Sequence, residues 1–326
     1  MLFATSCRAI MTAFAQNFSA ALCPVCAGRL LSVLRDVRDP LTRRPFELLR
    51  CADCGLGQTN PIPGDLAPYY AGYHCGRHGV TASLCIRRRI RFLRRATGHR
   101  APGALLDIGC GDGSLLLAAR DIGWQVQGTE FNPLLARQRG LAVVSDLSEI
   151  SASARFDCIT LWHSLEHLRD PLYTMQCVRS LLAPTGVLLL AVPDSTGLQA
   201  SLFAGKWFHL DVPRHLYHYS KRSLSALLSA AGFSPVSWRY QEFEYDLLGW
   251  SQSALNCFLP TPNVFFHLLT RRTPCCSKAE KLISALGGAA LTGFSLPLIP
   301  LGSLLHCGAT LVVDAHPVRV PEPILR

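Results

Sequence analysis

The stretch LLDIGCGDGSLLL, residues 105–117, constrains this chain more than any other. A strand-like apolar run meets Asp107, then Gly109, Gly111 and Gly113 alternate, and a helix-like apolar run follows. Glycines at a strand-to-helix turn accept left-handed dihedrals and let a ligand approach the backbone closely. Such a turn belongs at the carboxyl edge of a parallel sheet, where open α/β folds bind ligands. The spacing is G-x-G-x-G with an acid two residues ahead, unlike the G-x-G-x-x-G of dinucleotide sites. An acid at that place suits a cationic ligand amine.

The flanking sequence alternates strand-like and helix-like runs, which predicts an α/β architecture with crossover helices. Strands are expected at 104–109, 125–130, 141–146, 156–162 and 186–193, with Gly123, Pro184 and Gly186 as breakers between elements. Glu130, ending the second strand, is placed to bind both hydroxyls of a ribose. Asp146, ending the third, is placed to accept from an adenine amino group. Three acids at three consecutive strand ends fit a cationic adenosyl ligand better than a pyrophosphate.

Asp107–Gly113, Glu130-Phe-Asn-Pro, Phe156-Asp157 and the string WHSLEHLRDP (162–171) together resemble the class I S-adenosylmethionine-dependent methyltransferases. The branch in view includes the ubiquinone-biosynthesis and zinc-ribbon methyltransferases; the four N-terminal cysteines also resemble the deoxysugar C-methyltransferases. An NAD-dependent dehydrogenase has no counterpart of WHSLEHLRDP. The resemblance covers about 101–246 and the last strand. It implies S-adenosylmethionine as cofactor and a Rossmann-like seven-stranded methyltransferase sheet, its last two strands an antiparallel hairpin at about 234–243 and 308–316. It puts the Gly109, Gly111 and Gly113 loop around the cofactor, the first two against the methionine moiety and Asp107 near its amine. Glu130 stands where the family usually has Asp, and Asp146 and Leu147 face the adenine. Some relatives hold a divalent cation with E-x-x-E-H. Here His163 replaces the first glutamate, and His163, Glu166 and His167 suit magnesium poorly. Two imidazoles and one carboxylate can bind a transition metal. The favoured role, however, is that Glu166 and His167 fix the loop and line the adenosyl pocket, with His163 and Glu166 counted among the cofactor-binding residues.

Two further modules flank this core. In 20–75, Cys23-Pro-Val-Cys26 and Cys51-Ala-Asp-Cys54 form two C-x-x-C knuckles, the spacing of a four-thiolate structural Zn2+ site, a zinc ribbon. The metal would replace the hydrophobic core that so short a segment lacks. A basic linker helix, 76–100, contains RRRIRFLRRATGHR, read as an apolar stripe under a cationic surface. A solvated helix is the leading reading there and contact with anionic lipid the next. Nucleic acid is not favoured even at a net charge of +10, since no stacking platform accompanies the arginines.

After the fifth strand, the segment 197–220 is expected to cover the methyl-acceptor pocket as a lid. Its end, HLDVPRHLYHYS (209–220), offers His215 as the first candidate base, with His218 and His209 behind it. Asp211 can orient an imidazole, and Arg214 can meet an anionic group such as a nucleotide-sugar phosphate. The bland alternative is a loop that only braces the lid; three histidines at i, i+6 and i+9 fit no standard metal motif. An apolar helical insertion, 247–307, precedes the final strand at 308–318, and no Asp, Glu, Lys or Arg occurs from 282 to 313. This region lifts the mean hydropathy to +0.23. Arg271, Arg272, Lys278 and Lys281 precede it, as for contact with an anionic membrane surface; burial or a dimer interface is the alternative.

These readings converge on methyl transfer to a small or lipid-linked acceptor. Sugar or nucleotide-sugar C- or O-methylation comes first, a quinone-like phenol second, and a non-catalytic adenosyl-binding protein third. A reducing cytoplasm is expected from cysteines scattered singly through apolar runs, with contact to the inner face of a membrane. The opening run MLFATSCRAIMTAFAQNF lacks a charged region leading into a clear apolar one, so no signal peptide is expected. The oligomeric state is not indicated.

Overall fold

Residues 22–70, 81–272 and 274–318 are described in a computed structural model of the chain. The opening run and residues 71–80, which end the expected ribbon and begin the linker, lie outside them. Eleven strands form two sheets among the described residues.

The large sheet holds β4 (Ala104–Ile108), β5 (Gln125–Thr129), β6 (Val143–Val144), β7 (Phe156–Trp162), β8 (Leu182–Pro193), β10 (Phe233–Arg239) and β11 (Thr310–Pro317). Its order is β10-β11-β8-β7-β4-β5-β6, with β11 antiparallel to both neighbours and the rest parallel. The expected sheet and its closing hairpin are therefore present. Neighbouring residues of the central strands face opposite sides of the sheet, as pleating demands. Leu106, Ile108, Ile159, Leu161, Leu188 and Leu190 pack on one face, and Leu105, Cys158, Val187, Leu189 and Ala191 on the other. Both faces are covered, so these strands read as continuous apolar runs rather than alternating ones.

The small sheet is β1 (Leu30–Arg38), β2 (Pro45–Cys51), β3 (Gly57–Asn60) and β9 (Tyr217–His218). Its first three strands form the cysteine-bearing module. The fourth comes from the lid: β9 runs antiparallel to β3, with Gly57 opposite His218 and Gln58 opposite Tyr217. A Cβ on Gly57 would lie 2.8 Å from the Cβ of His218, so glycine lets the two strands close. The module is not coreless, as the sequence reading held. Leu30, Leu49 and Leu56 join one apolar cluster with the Leu106 face of the large sheet.

The basic linker forms the helix Ala82–Ala96. Its arginines are not all on a cationic surface as expected. Arg89 is buried, 3.6 Å from the Glu242 carboxylate and over the Trp162 ring, and Arg88 pairs with Glu244 at 3.2 Å. The insertion between β10 and β11 is helical, at Phe243–Phe258, Val264–Leu269, Lys278–Ser295 and Leu298–Leu304. Among the described residues no single helix is long and apolar enough to cross a membrane; the last two, bent by 45°, are so only taken together.

Candidate active site

The glycine turn leaves β4 with Gly109, Gly111 and Gly113 at φ of +75°, +58° and +75°, in the region that favours glycine. At Gly109 a Cβ would also lie 2.5 Å from the Cβ of Ser164, so the turn and the loop after β7 touch backbone to side chain. Asp107, buried at the end of β4, accepts from the Thr160 hydroxyl at 2.6 Å. Burial pushes its carboxyl up to about 6, against the pull of that hydroxyl and of Arg89. Glu130, after β5, accepts from the Gly111 amide at 2.8 Å, which ties this acid to the turn. Asp146 caps the short turn Leu147–Glu149, accepting from the Ser148 hydroxyl and amide, and these bonds hold its pKa down. Each of these acids keeps lone pairs for a ligand.

Beyond β7 the chain turns sharply at His163, whose φ is +52°. This buried ring stacks on Tyr245 at 3.9 Å between centroids. Its Nε2 lies 2.6 Å from Glu242 Oε2 and its Nδ1 3.5 Å from Glu166 Oε1. Burial alone would lower its pKa, but the two carboxylates overcome that and raise it to about 9. Glu166 and Glu242 are in turn held near 2 despite burial, Glu166 by the surrounding histidines and Glu242 by His163 and Arg89. The Trp162 indole donates to Glu242 at 2.8 Å. His163 is thus a clamped cation inside a balanced cluster of Arg89, Glu242 and Glu166. Sequence reasoning found His163 and Glu166 but missed Arg89, Glu242 and Tyr245. The last two sit just after β10, where no motif marks them.

The lid brings its histidines into three different settings. His215 Nδ1 donates to the His209 carbonyl at 2.9 Å, which leaves Nε2 as an acceptor, 3.9 Å from Glu166 Oε1. Burial, reinforced by nearby His167, lowers its pKa to about 4, so the ring is neutral at physiological pH. His209 Nε2 donates to the Tyr245 carbonyl at 3.0 Å, and burial lowers this ring to about 3. His218 faces the ribbon: the Thr59 hydroxyl donates to the His215 carbonyl at 2.6 Å, so His218 Nε2 donates to Thr59 Oγ1 at 3.0 Å. Arg214 is gripped by Asp211, by Asp39 at 3.3 Å and by the Tyr69 carbonyl at 2.9 Å. Its charge is spent within the protein, unlike the anion contact read from sequence.

His163, Glu166, His167, His209 and His215 line one cavity of about 840 Å³, with Phe208, Tyr245, Leu248 and Phe266 as its apolar wall. His218 is not among the lining residues. Ser164, next in sequence to the cavity-lining His163, donates its hydroxyl to the Ile108 carbonyl at 2.7 Å and so ties this loop to the strand that leads into the glycine turn.

Two clusters have the donors of a metal site. Cys23, Cys26, Cys51 and Cys54 hold their sulfurs within 4.8 Å of one another, with 3.5 Å between Cys23 and Cys54 and between Cys26 and Cys51. Tetrahedral zinc with Zn–S of about 2.3 Å needs sulfurs roughly 3.8 Å apart, so the four thiols fit it. Glu166, His167 and His215 also bring one ligand atom each within 4.8 Å. Both Glu166 oxygens are buried without a hydrogen bond, and His167 Nδ1 lies 2.9 Å from the Arg214 carbonyl, a bond that leaves its Nε2 as an acceptor. With His163 taken by Glu242, this set is two imidazoles and one carboxylate, which suits a transition metal rather than magnesium.

A family model described as a methyltransferase domain matches residues 78–237. The ubiquinone biosynthesis O-methyltransferase of Cereibacter sphaeroides is 31% identical over 169 residues, covering 46% of this chain and 68% of that protein. The protein of that name from Xanthomonas campestris pv. campestris is 31% identical over 133 residues, 36% of this chain and 56% of the relative. Among solved structures, a SAM-dependent methyltransferase from Archaeoglobus fulgidus gives a TM-score of 0.45 at 18% identity, covering 72% of this chain and 93% of that one.

Proposed function

Because the chain belongs to the S-adenosylmethionine-dependent methyltransferases, we propose that it methylates a hydroxyl of a small acceptor held in the 840 Å³ cavity, with His215 as base. The acceptor oxygen attacks the sulfonium methyl in line; the new O–C bond forms as the S–C bond breaks. The hydroxyl proton passes to His215 Nε2, and adenosylhomocysteine leaves. The observation that carries this reading is the fixed tautomer of His215: Nδ1 is committed to the His209 carbonyl, and the acceptor nitrogen sits beside Glu166 at the cavity wall. Glu166 is an anion there, suited to steady the imidazolium once it forms.

For the acceptor, the apolar wall of Phe208, Tyr245, Leu248 and Phe266 favours a flat, quinone-like phenol, in keeping with the names of the relatives. The sugar or nucleotide-sugar reading loses the Arg214 contact but keeps Arg43 and Arg271 in the cavity lining as partners for a phosphate. A panel of catechols and nucleotide sugars, read by adenosylhomocysteine release, separates the two. Replacing His215 by Ala should cut kcat by about 10²–10⁴-fold and leave the Kd for adenosylmethionine unchanged. Wild-type turnover in that variant would remove the base assignment.

The same reading includes a structural Zn2+ on the four cysteines and a reducing cytoplasm, where such thiolates persist. A second reading, favoured by buried Glu166 oxygens that accept no hydrogen bond, has Glu166, His167 and His215 hold a transition metal that would polarise the acceptor oxygen. Metal analysis of the purified enzyme decides: one zinc per chain supports the base, and a second transition metal lost in His215→Ala supports the metal.

A further inference from the structure

The helix Lys278–Ser295 is turned inside out for a water-soluble protein. Its inward face carries Ser284, Gly288, Thr292 and Ser295. Thr292 shares a hydroxyl–hydroxyl bond of 2.8 Å with Ser251 of the neighbouring helix Phe243–Phe258, and a Cβ on Gly288 would meet the Phe265 ring at 2.4 Å. Its outward face from residue 282 carries Leu282, Ile283, Ala285, Leu286, Ala289, Ala290 and Phe294, without a polar side chain. Leu286 is 66% and Phe294 80% exposed. The bent continuation Leu298–Leu304 adds Leu301 and Leu304, and Leu305 follows. A surface helix of a globular protein puts the charged face outward and the apolar stripe inward. Contiguous exposed apolar area of this kind marks a contact with something apolar.

Charge indicates what that is. The segment 271–281, leading into the apolar face, has four cations and one acid. The acid, Glu280, is bound into the cap of its own helix with Ser277. Arg271 and Lys278 are exposed, and Arg271 also lines the acceptor cavity. A second copy of a chain with net charge +10 would bring like charges together, whereas an anionic bilayer complements them.

We propose that the outward face of Lys278–Ser295 and Leu298–Leu304 lies in the surface of an anionic lipid bilayer. Leu286 and Phe294 enter the acyl boundary, and Arg271 and Lys278 meet the headgroups. The cavity lining at Arg271 then borders the membrane. This inference rests on the helix faces and the cations that precede them, and does not depend on the acceptor or the base.

The test uses the full chain with its metal and vesicles of phosphatidylcholine, with and without about one-third phosphatidylglycerol. Wild-type protein should bind the anionic vesicles more strongly, and Leu286→Glu with Phe294→Glu should lower partitioning about tenfold or more. Lys278→Glu with Lys281→Glu should lower it on anionic vesicles only. Neither pair lines the acceptor cavity, so methyl transfer to a soluble acceptor or adenosylmethionine binding reports that the fold is kept. In a Leu286→Trp variant, lipid brominated on its chains should quench the added fluorescence. Absence of vesicle binding at both compositions would overturn the proposal. So would a stable wild-type dimer in sedimentation that Leu286→Glu dissociates, since a second copy would then cover the face.

Discussion

A histidine with a carboxylate facing each ring nitrogen stays protonated well above the usual range, and His163 illustrates the consequence. Its pKa rises from 6.5 to about 9 on folding, so its contribution to stability is complete below pH 6.5 and is lost as pH rises through 9. Replacing it by Gln leaves Glu242 and Glu166 buried with less compensation, at a cost of about 3–5 kcal/mol. In urea titrations the gap between wild type and His163→Gln should be largest below pH 6.5 and shrink above pH 9. A gap that does not change with pH would mean that the ring is not held as a cation. His215 moves the opposite way. Held at about 4, it remains a neutral base well below the ordinary histidine range. The acid limb of kcat/KM should accordingly fall below pH 6, measured with an acceptor whose own ionisation lies elsewhere.

At the level of elements, the link between lid and ribbon is where a small change should have the largest reach. Thr59 on β3 donates to the His215 carbonyl and accepts from His218. Thr59→Val keeps the shape but leaves both groups buried without their bond, at a cost of about 1–3 kcal/mol each. Adenosylmethionine affinity should hold while the acceptor KM rises, because the disturbed carbonyl belongs to His215, the proposed base. Equal losses in both would place the fault in the whole fold. This link also marks the limit of what the sequence reveals. The central strands β4, β7 and β8 were legible because short apolar runs between breakers leave few other folds. β9 is two residues long, too short for any period, and its partner lies far away in the chain. Arg89 reads as a surface arginine until Glu242 is seen beside it, since burial of a charge is decided by its partner and not by its neighbours in sequence.

Across the whole molecule, two functions share one framework. The glycine turn and its acids stand on the large sheet; His215, the proposed base, stands on a segment whose strand completes the small one. Removing the Zn2+ proposed for the four cysteines, by chelation or by Cys51→Ser, should therefore act at a distance. Methyl transfer should be lost at least about tenfold through the lid, while calorimetry still shows adenosylmethionine binding to the large sheet. Loss of both together would make the ribbon a requirement for folding of the whole chain. The order of synthesis gives the shared sheet one more meaning. At ribosomal speeds of 5–20 residues per second, β3 emerges roughly 8–30 s before the strand that pairs with it. During that interval the nascent ribbon presents an open edge, ready to zip with any extended segment that passes. The segment proposed to enclose the acceptor is thus also what retires that edge.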